Sequence, residues 1–458
     1  SQRQRKINGI YSAVIMLNRL LFQRIDNSPL IIFRIFFGIL VSLECFGAIG
    51  TGWVKRNLID PKYTFPFIDF EFLQPLPGYG MYFYFGIMGL LGIFIAIGLK
   101  YRASIITFTV LWTVTYLMQK TAYNNHYYLL ILISFAMCFF PAERYRSLDV
   151  KMNPKLECNS MYSYVKCFIV LQLFIVYVYA SIAKMYGDWL DFSTIEVLMR
   201  SKKSYWLVGE ILQEPWIHSI IGTVGILFDL LIVPALLWKP TRKIAFFISI
   251  FFHLFNSIIF QIGIFPYLSI TFSVFFFDPE TIRKIFFKTK APFTASYTSM
   301  PNYGNTLILG ASLYFIIQLI LPIRHHAMED DVLWTEEGHR MSWRMMLRSR
   351  HGKGTFKAIE TTTKQVFIID PKEYVTRAQE RKIFAYPDFA WQFAQYLKKE
   401  FAEKNMNVSV HLENSKISIN RKPYESFINS KTDLAAEPWY RTKHHEWILP
   451  SSYSKLKK

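Results

Sequence analysis

Nine apolar runs recur along the chain, at residues 29–50, 81–99, 103–118, 127–141, 164–186, 217–238, 243–260, 262–278 and 305–323. A bilayer core about 30 Å thick takes roughly 20 apolar residues to cross as an α-helix, the form that satisfies its own backbone without water. The runs predict an α-helical integral membrane protein of about nine transmembrane helices, the third, fourth and eighth of them short. Hydrophobic residues make up 52% of the chain, with 42 Phe and 27 Tyr, more than a soluble domain needs. A net charge of +19 would suggest nucleic acid in a soluble protein. Here Lys and Arg fall in short loops between apolar runs, so they mark topology and no nucleic-acid partner is expected. Cys45, Cys138, Cys158 and Cys167 lack metal-ligand or disulfide-framework spacing, and no metal is expected.

The charges also give sidedness. With the N-terminus inside, the inner segments hold Lys100/Arg102, Arg144/Arg146/Lys151/Lys155, Lys239/Arg242/Lys243 and Arg283/Lys284/Lys288/Lys290. The outer loops hold fewer, and an odd number of spans places everything after about residue 324 outside. Residues 1–28 read as a basic amphipathic segment without a small-residue cleavage site. Residues 29–323 form the multi-span domain. The tail, 324–458, contains the hairpin-like GTFKAIETTTKQVFIID, the helical FAWQFAQYLKKEFAEK and the alternating NVSVHLENSKISINRK, which predict a small extracytoplasmic α+β domain.

Several polar side chains interrupt the apolar runs. Lys184 follows an apolar stretch of about 17 residues, Cys167 to Ala183. A charge at bilayer depth costs roughly 2.5–3.5 kcal/mol. A lysine there can snorkel to the interface, pair with an acid or lose its proton and become a base. Asn125 and His126 open the fourth run from the outer side, while His253 and Asn256 lie in the seventh. Convergence of three distant segments on the outer half of the bilayer makes a functional site the expectation. Asp229, in the sixth run, reads as structural, bonding a neighbouring helix. No internal repeat suggests a transporter and no filter motif a channel. The aromatic abundance suits a flat lipid-soluble ligand such as a quinone.

The segments FPFIDFEFLQPLPGYGMY (65–82), KTAYNNHYYL (120–129), ASIAKMYGDW (180–189), FFHLFNSIIFQIGIFPY (251–267) and MSWRMMLRSRH (341–351) resemble the vitamin K-dependent γ-glutamyl carboxylase family, in the same order and with similar spacing. The resemblance extends from about residue 29 to 437. It implies that a reduced vitamin K is deprotonated, reacts with O₂ and ends as its epoxide. The strong base made on the way removes a γ-proton from a peptide glutamate, and the carbanion captures CO₂. The family's active-site lysine maps onto Lys184, implying that it deprotonates the hydroquinone; a desolvated lysine is a plausible base on physical grounds as well. The family's Asn-His pair maps onto Asn125 and His126, implying hydrogen bonds to quinol and glutamyl group. Trp334, Ser342 and Trp343 fall on positions the family associates with glutamate binding. Arg200 and Arg350 match too, and a guanidinium suits a carboxylate. His253 and Asn256 take a supporting role.

The chain departs from the family where it carries His339 and Arg348 in place of a Tyr and a His near the glutamate site. The expected partners are membrane lipid, quinol and a Glu-containing peptide or protein. Abundant Ile, Phe, Lys and Tyr point to a bacterium, hence to menaquinol, an inner membrane and a periplasmic outer domain; in a eukaryote that side is the ER lumen. Two other readings are a quinol-dependent membrane epoxidase or monooxygenase that carboxylates nothing, and a non-catalytic quinone- or lipid-binding protein.

Overall fold

The structure is a computed structural model that describes residues 15–297 and 299–452. Of the expected amphipathic N-terminal segment, residues 1–14 lie outside the described residues, and 15–22 are helical. Each apolar run carries a helix: α1 (Ser28–Gly50), α2 (Gly80–Ile97), α3 (Tyr101–Met118), α4 (Asn125–Met137), α5 (Tyr164–Ala183), α6 (Pro215–Leu237), α7 (Arg242–Phe260), α8 (Phe265–Phe272) and α9 (Gly304–Ile323). Among the described residues, six of these, α1, α2, α5, α6, α7 and α9, are long and apolar enough to cross a membrane. Of the nine expected spans, α3, α4 and α8 fall short of that. At 1.5 Å per residue the 13 residues of α4 rise only about 20 Å, and α3 carries Arg102 and five Ser or Thr residues.

Backbone-to-backbone packing joins α1 to α2. A Cβ on Gly38 would lie 2.4 Å from the Ala96 nitrogen and 2.6 Å from the Gly92 oxygen, so only glycine allows the approach. On the other side of α1 the buried Arg34 donates to the carbonyls of Ala142 and Tyr145 at 2.7 and 3.2 Å, holding the segment after α4. A second buried cation, Lys290, donates to Asp26, Asn27 and Ser28 at the start of α1. Buried polar groups of this kind are tolerated because each finds partners.

The tail folds as read, with β and α elements in one unit. Strands β1 (Arg24–Asp26) and β2 (Ser160–Tyr162) form a separate ribbon at the membrane part. In the tail β3 (Arg350–Glu360), β4 (Val366–Ile369), β5 (Val408–Ile419) and β6 (Glu425–Ser426) make an antiparallel sheet in the order β4-β3-β5-β6. Alternate residues of β3 and β5, among them Phe356, Ala358, Val410 and Leu412, point into a core shared with Phe393 and Leu397. Those two come from α11 (Pro387–Ala402), which follows α10 (Arg377–Ala385).

The loop between α1 and α2 bolts this sheet unit to the helices. Phe65 is part of its core, and Tyr63 stacks on Tyr396 with ring centroids 4.1 Å apart. Gln379 and Gln392 donate to the Tyr63 and Pro66 carbonyls at 2.7 and 2.9 Å. These contacts hold one face of the sheet unit over the outer ends of α1, α4 and α8.

Candidate functional site

At that junction lies a cavity of about 680 Å³. Its membrane-side wall is apolar and aromatic, with Leu43 of α1, Leu130 of α4, and Phe265 and Leu268 of α8. Asn125 and His126 enter from the first turn of α4. Asn124 caps that helix by accepting from the Tyr127 amide at 2.8 Å, which fixes where the next two residues begin. The His126 ring stacks on Phe265, centroids 4.0 Å apart. Glu44 lines the same wall and accepts from the Tyr127 hydroxyl at 3.1 Å.

The opposite wall is charged. Glu336, His339, Arg340, Arg344, Arg348, Lys382 and Tyr386 come from the sheet unit, and Lys120 from the segment joining α3 to α4. Glu336 takes Arg348 in a two-pronged pair, Nε to Oε1 and Nη2 to Oε2, both 2.5 Å. Burial alone would raise its carboxyl, but Arg348, His339 and Arg350 hold it far below the usual carboxylate range. Asp388 opens α11 and receives both Lys120 at 2.5 Å and Arg340 at 2.7 Å. Burial would raise Asp388 as well; Arg340 and Lys120 bring it down to about 2. Desolvation lowers the Lys120 ammonium to about 8. The same burial, reinforced by Arg348, keeps His339 well below the ordinary histidine value.

Backbone strain shapes this wall. Glu336, Met341, Trp343 and Met346 all have φ between 56° and 62°, a region that residues with a Cβ seldom occupy. Each such residue costs on the order of 1–3 kcal/mol and persists only where its surroundings over-determine it. Here the Tyr123 hydroxyl accepts from the Met341 amide at 2.8 Å, and Asn125 donates to the Arg344 carbonyl at 3.2 Å. Trp343 stacks on Tyr128 of α4. The bilayer-side Asn125 therefore holds the outer loop by its main chain.

The expected site residues divide. Asn125 and His126 line the cavity, while Lys184 does not. Lys184 caps the C-terminal end of α5 and makes a buried ion pair with Asp229 of α6, its ammonium 5.4 Å from the Trp189 ring centroid. His253 is buried behind Phe265, and its Nε2 lies 3.1 Å from the Tyr177 hydroxyl of α5. Asn256, one turn further along α7, lies outside the lining.

The residues expected to hold glutamate are mostly spoken for. Arg200 pairs with Glu196 on its own short helix, half exposed. Arg350 donates to the carbonyls of Leu333, Trp334 and Ala385 and pairs with Glu336 at 3.4 Å. Ser342 donates to the Gly338 carbonyl at 2.7 Å and accepts from Arg324 at 3.1 Å. Trp334 belongs to the core of the sheet unit, and Trp343 is buried under the loop. None of the five lines the cavity. Sequence reasoning missed Lys120, Glu336, Arg340 and Arg344. The outward signal was charge density: EEGHRMSWRMMLRSR carries six charges in 15 residues, unusual beside so much buried apolar surface.

Two family models match the chain. The HTTM domain matches residues 22–280, more than half of it. The lumenal domain of vitamin K-dependent gamma-carboxylase matches residues 303–454. The chain belongs to the vitamin K-dependent gamma-glutamyl carboxylase family. Between them the carboxylase-family matches take in both walls of the cavity. No solved structure matches the chain. With six helices able to cross a bilayer and a lumenal-type domain, this carboxylase-family member is a multi-pass membrane protein.

Proposed function

We propose that the chain is a quinol-dependent glutamyl carboxylase coupled to epoxidation of the quinol by O₂, with CO₂ as the second small substrate. The observation that carries this reading is one cavity with two unlike walls. An apolar wall at bilayer depth suits a flat membrane-soluble quinol, and a cationic wall suits a charged glutamyl peptide arriving from outside. The volume falls within the roughly 300–1,000 Å³ usual for small-molecule sites. The buried Nε2 of His339 has no hydrogen-bond partner among the described residues, leaving a polar atom for a ligand to satisfy. These features fit reduced vitamin K, in a bacterial inner membrane menaquinol, with the sheet unit (324–458) outside and the helices (29–323) within.

When bound, the quinol would supply reducing equivalents for O₂ and a base strong enough for a glutamyl γ-proton. The chain's own groups would do the rest. His126, its ring held by stacking on Phe265, offers a hydrogen bond on the bilayer side, and Asn125 has its second amide N–H to add. Cations outnumber carboxylates on the outer wall, which draws anions inward. Lys184 is assigned the first proton, acting as a unit with Asp229: taking up a proton turns the ion pair into an ammonium hydrogen-bonded to a neutral carboxyl, and the pair's net positive charge balances the quinolate left behind. Tyr177, bonded to His253 beside Phe265, offers the pair a route to the cavity.

The second reading, quinol oxidation without carboxylation, draws support from Arg200 and Arg350 being engaged elsewhere. One assay separates the two. Purified protein given menaquinol, O₂, labelled bicarbonate and a Glu-containing peptide should yield epoxide and fixed label together. Epoxide without label would favour the second reading; neither product, beside an active control enzyme, would refute both.

A further inference from the structure

Nearly every cation on the outer wall is already engaged. Lys120 and Arg340 share Asp388, and Arg348 is locked on Glu336. Lys382 lies over the Tyr386 ring, 4.5 Å from its centroid. Arg344 is different. Among the described residues no carboxylate forms an ion pair with it, and its Nε is buried without a hydrogen-bond partner. A largely buried guanidinium left in that state is costly, and an oxyanion from outside would relieve the cost.

Its placement is not left to a flexible side chain alone. Arg344 follows Trp343 and precedes Met345 and Met346, and both Trp343 and Met346 are held at positive φ. Its carbonyl is tied to Asn125, the neighbour of His126 in sequence and in the cavity wall. His339, whose Nε2 also lacks a partner, lines the same cavity. Both side chains therefore line one space, each with a buried polar atom that lacks a partner among the described residues.

We propose that Arg344 captures the side-chain carboxylate of the glutamyl substrate, with His339 Nε2 as a second contact, and so selects Glu over Gln in this cavity. The planar guanidinium presents parallel N–H donors that match a carboxylate two by two. Neither Arg200 nor Arg350 can do this without abandoning its present partners. Binding here holds the reacting side chain on the loop that Asn125 anchors, beside the bilayer-side groups. The assignment rests on the carboxylase reading for its substrate and deepens it.

The test uses the full chain in nanodiscs and two short apolar peptides that differ only in one Glu or Gln. Fluorescence anisotropy of labelled peptides should show wild type binding the Glu peptide at least tenfold more tightly than its Gln twin. In Arg344→Gln that ratio should fall to within twofold, and Arg344→Lys, which keeps charge but loses the fork, should lie between. In turnover, the KM for the Glu peptide should rise tenfold or more in Arg344→Gln while the KM for quinol moves less than twofold. A wild-type Glu/Gln ratio in both variants, with unchanged melting temperature, overturns the proposal. Two further arms name the oxyanion. If bicarbonate binding, rather than the peptide ratio, is what Arg344→Gln loses, the site holds bicarbonate and the proposal falls. If the effect vanishes in nanodiscs without anionic lipid, a headgroup was the ligand and it also falls. Arg344-dependent Glu binding in a protein that fixes no label would refute the carboxylase reading while leaving the capture site standing. Fixed label with an unchanged peptide KM in the variants would do the reverse.

Discussion

Removing the Lys184 ammonium strands the Asp229 carboxylate inside the helices. Breaking a buried pair from one side costs about 3–5 kcal/mol, because the remaining charge has no partner. Lys184→Ala should therefore lose both turnover and stability, and its inactivity alone proves little. The double variant Lys184→Met/Asp229→Leu should recover most of the lost thermal stability and form no epoxide; epoxide at the wild-type rate in that variant would remove the pair from the mechanism. Glu336→Gln poses the same problem on the outer wall. It leaves Arg348 and Arg350 facing one another uncompensated, so the melting temperature should drop by an amount equivalent to about 3–5 kcal/mol. An unaltered melting curve would show that the guanidinium groups find other partners. At this scale the place of Asn125 and His126 on the cavity wall was legible from their sequence, an amide and an imidazole opening an apolar run, but the hold of Asn125 on the Arg344 carbonyl was not. Arg344 was not, since whether an arginine is spent or available depends on which acids the fold brings near it.

Helix packing is where small side chains decide. The Gly38 contact with Gly92 and Ala96 leaves no room for even a methyl group against backbone atoms that cannot rotate away. Gly38→Ala should destabilise by roughly 1–3 kcal/mol through overpacking, whereas Gly86→Ala, which meets nothing within 4 Å, should not destabilise. Equal melting temperatures for the two variants would contradict the close approach. Element positions were readable throughout: every apolar run carries a helix, and the hairpin, helix and alternating segment of the tail formed where periodicity placed them. Which of the nine helices are full spans was harder to read. The run 262–278 looked continuous, yet Ile262 and Gly263 precede the helix and a tighter 3₁₀ turn ends it at Phe275. Apolar character alone does not distinguish a buried short helix from one that faces lipid.

The whole molecule is held by contacts between distant parts of the chain, and one of these titrates. Glu337 accepts from His444 and His445 at 2.7 Å each, fastening the end of the described chain to the charged loop. Its hydrogen bond to Glu337 raises the His444 pKa above the ordinary 6.5. A raised folded-state value gives stability that is complete below pH 6.5 and lost as pH climbs through the folded value. Thermal melts should therefore show the sheet unit less stable at pH 8 than at pH 6. His444→Gln should flatten that slope; an unchanged slope would place the titration elsewhere. Overall organisation, helices first and a sheet unit after, was visible in the hydropathy. The cavity was not, because its walls come from α1, α4, α8 and a loop more than 200 residues from α4.

The Lys184–Asp229 pair also bears on how the chain enters its membrane. On insertion scales each helix would carry a penalty of roughly 2.5–3.5 kcal/mol for its own charge. The two residues are 45 positions apart, so α5 emerges from the ribosome well before the aspartate that neutralises it. Until α6 arrives, α5 is the less willing of the two to leave the translocon for lipid. Insertion of these helices as a pair, rather than one after the other, is the order that the ion pair favours.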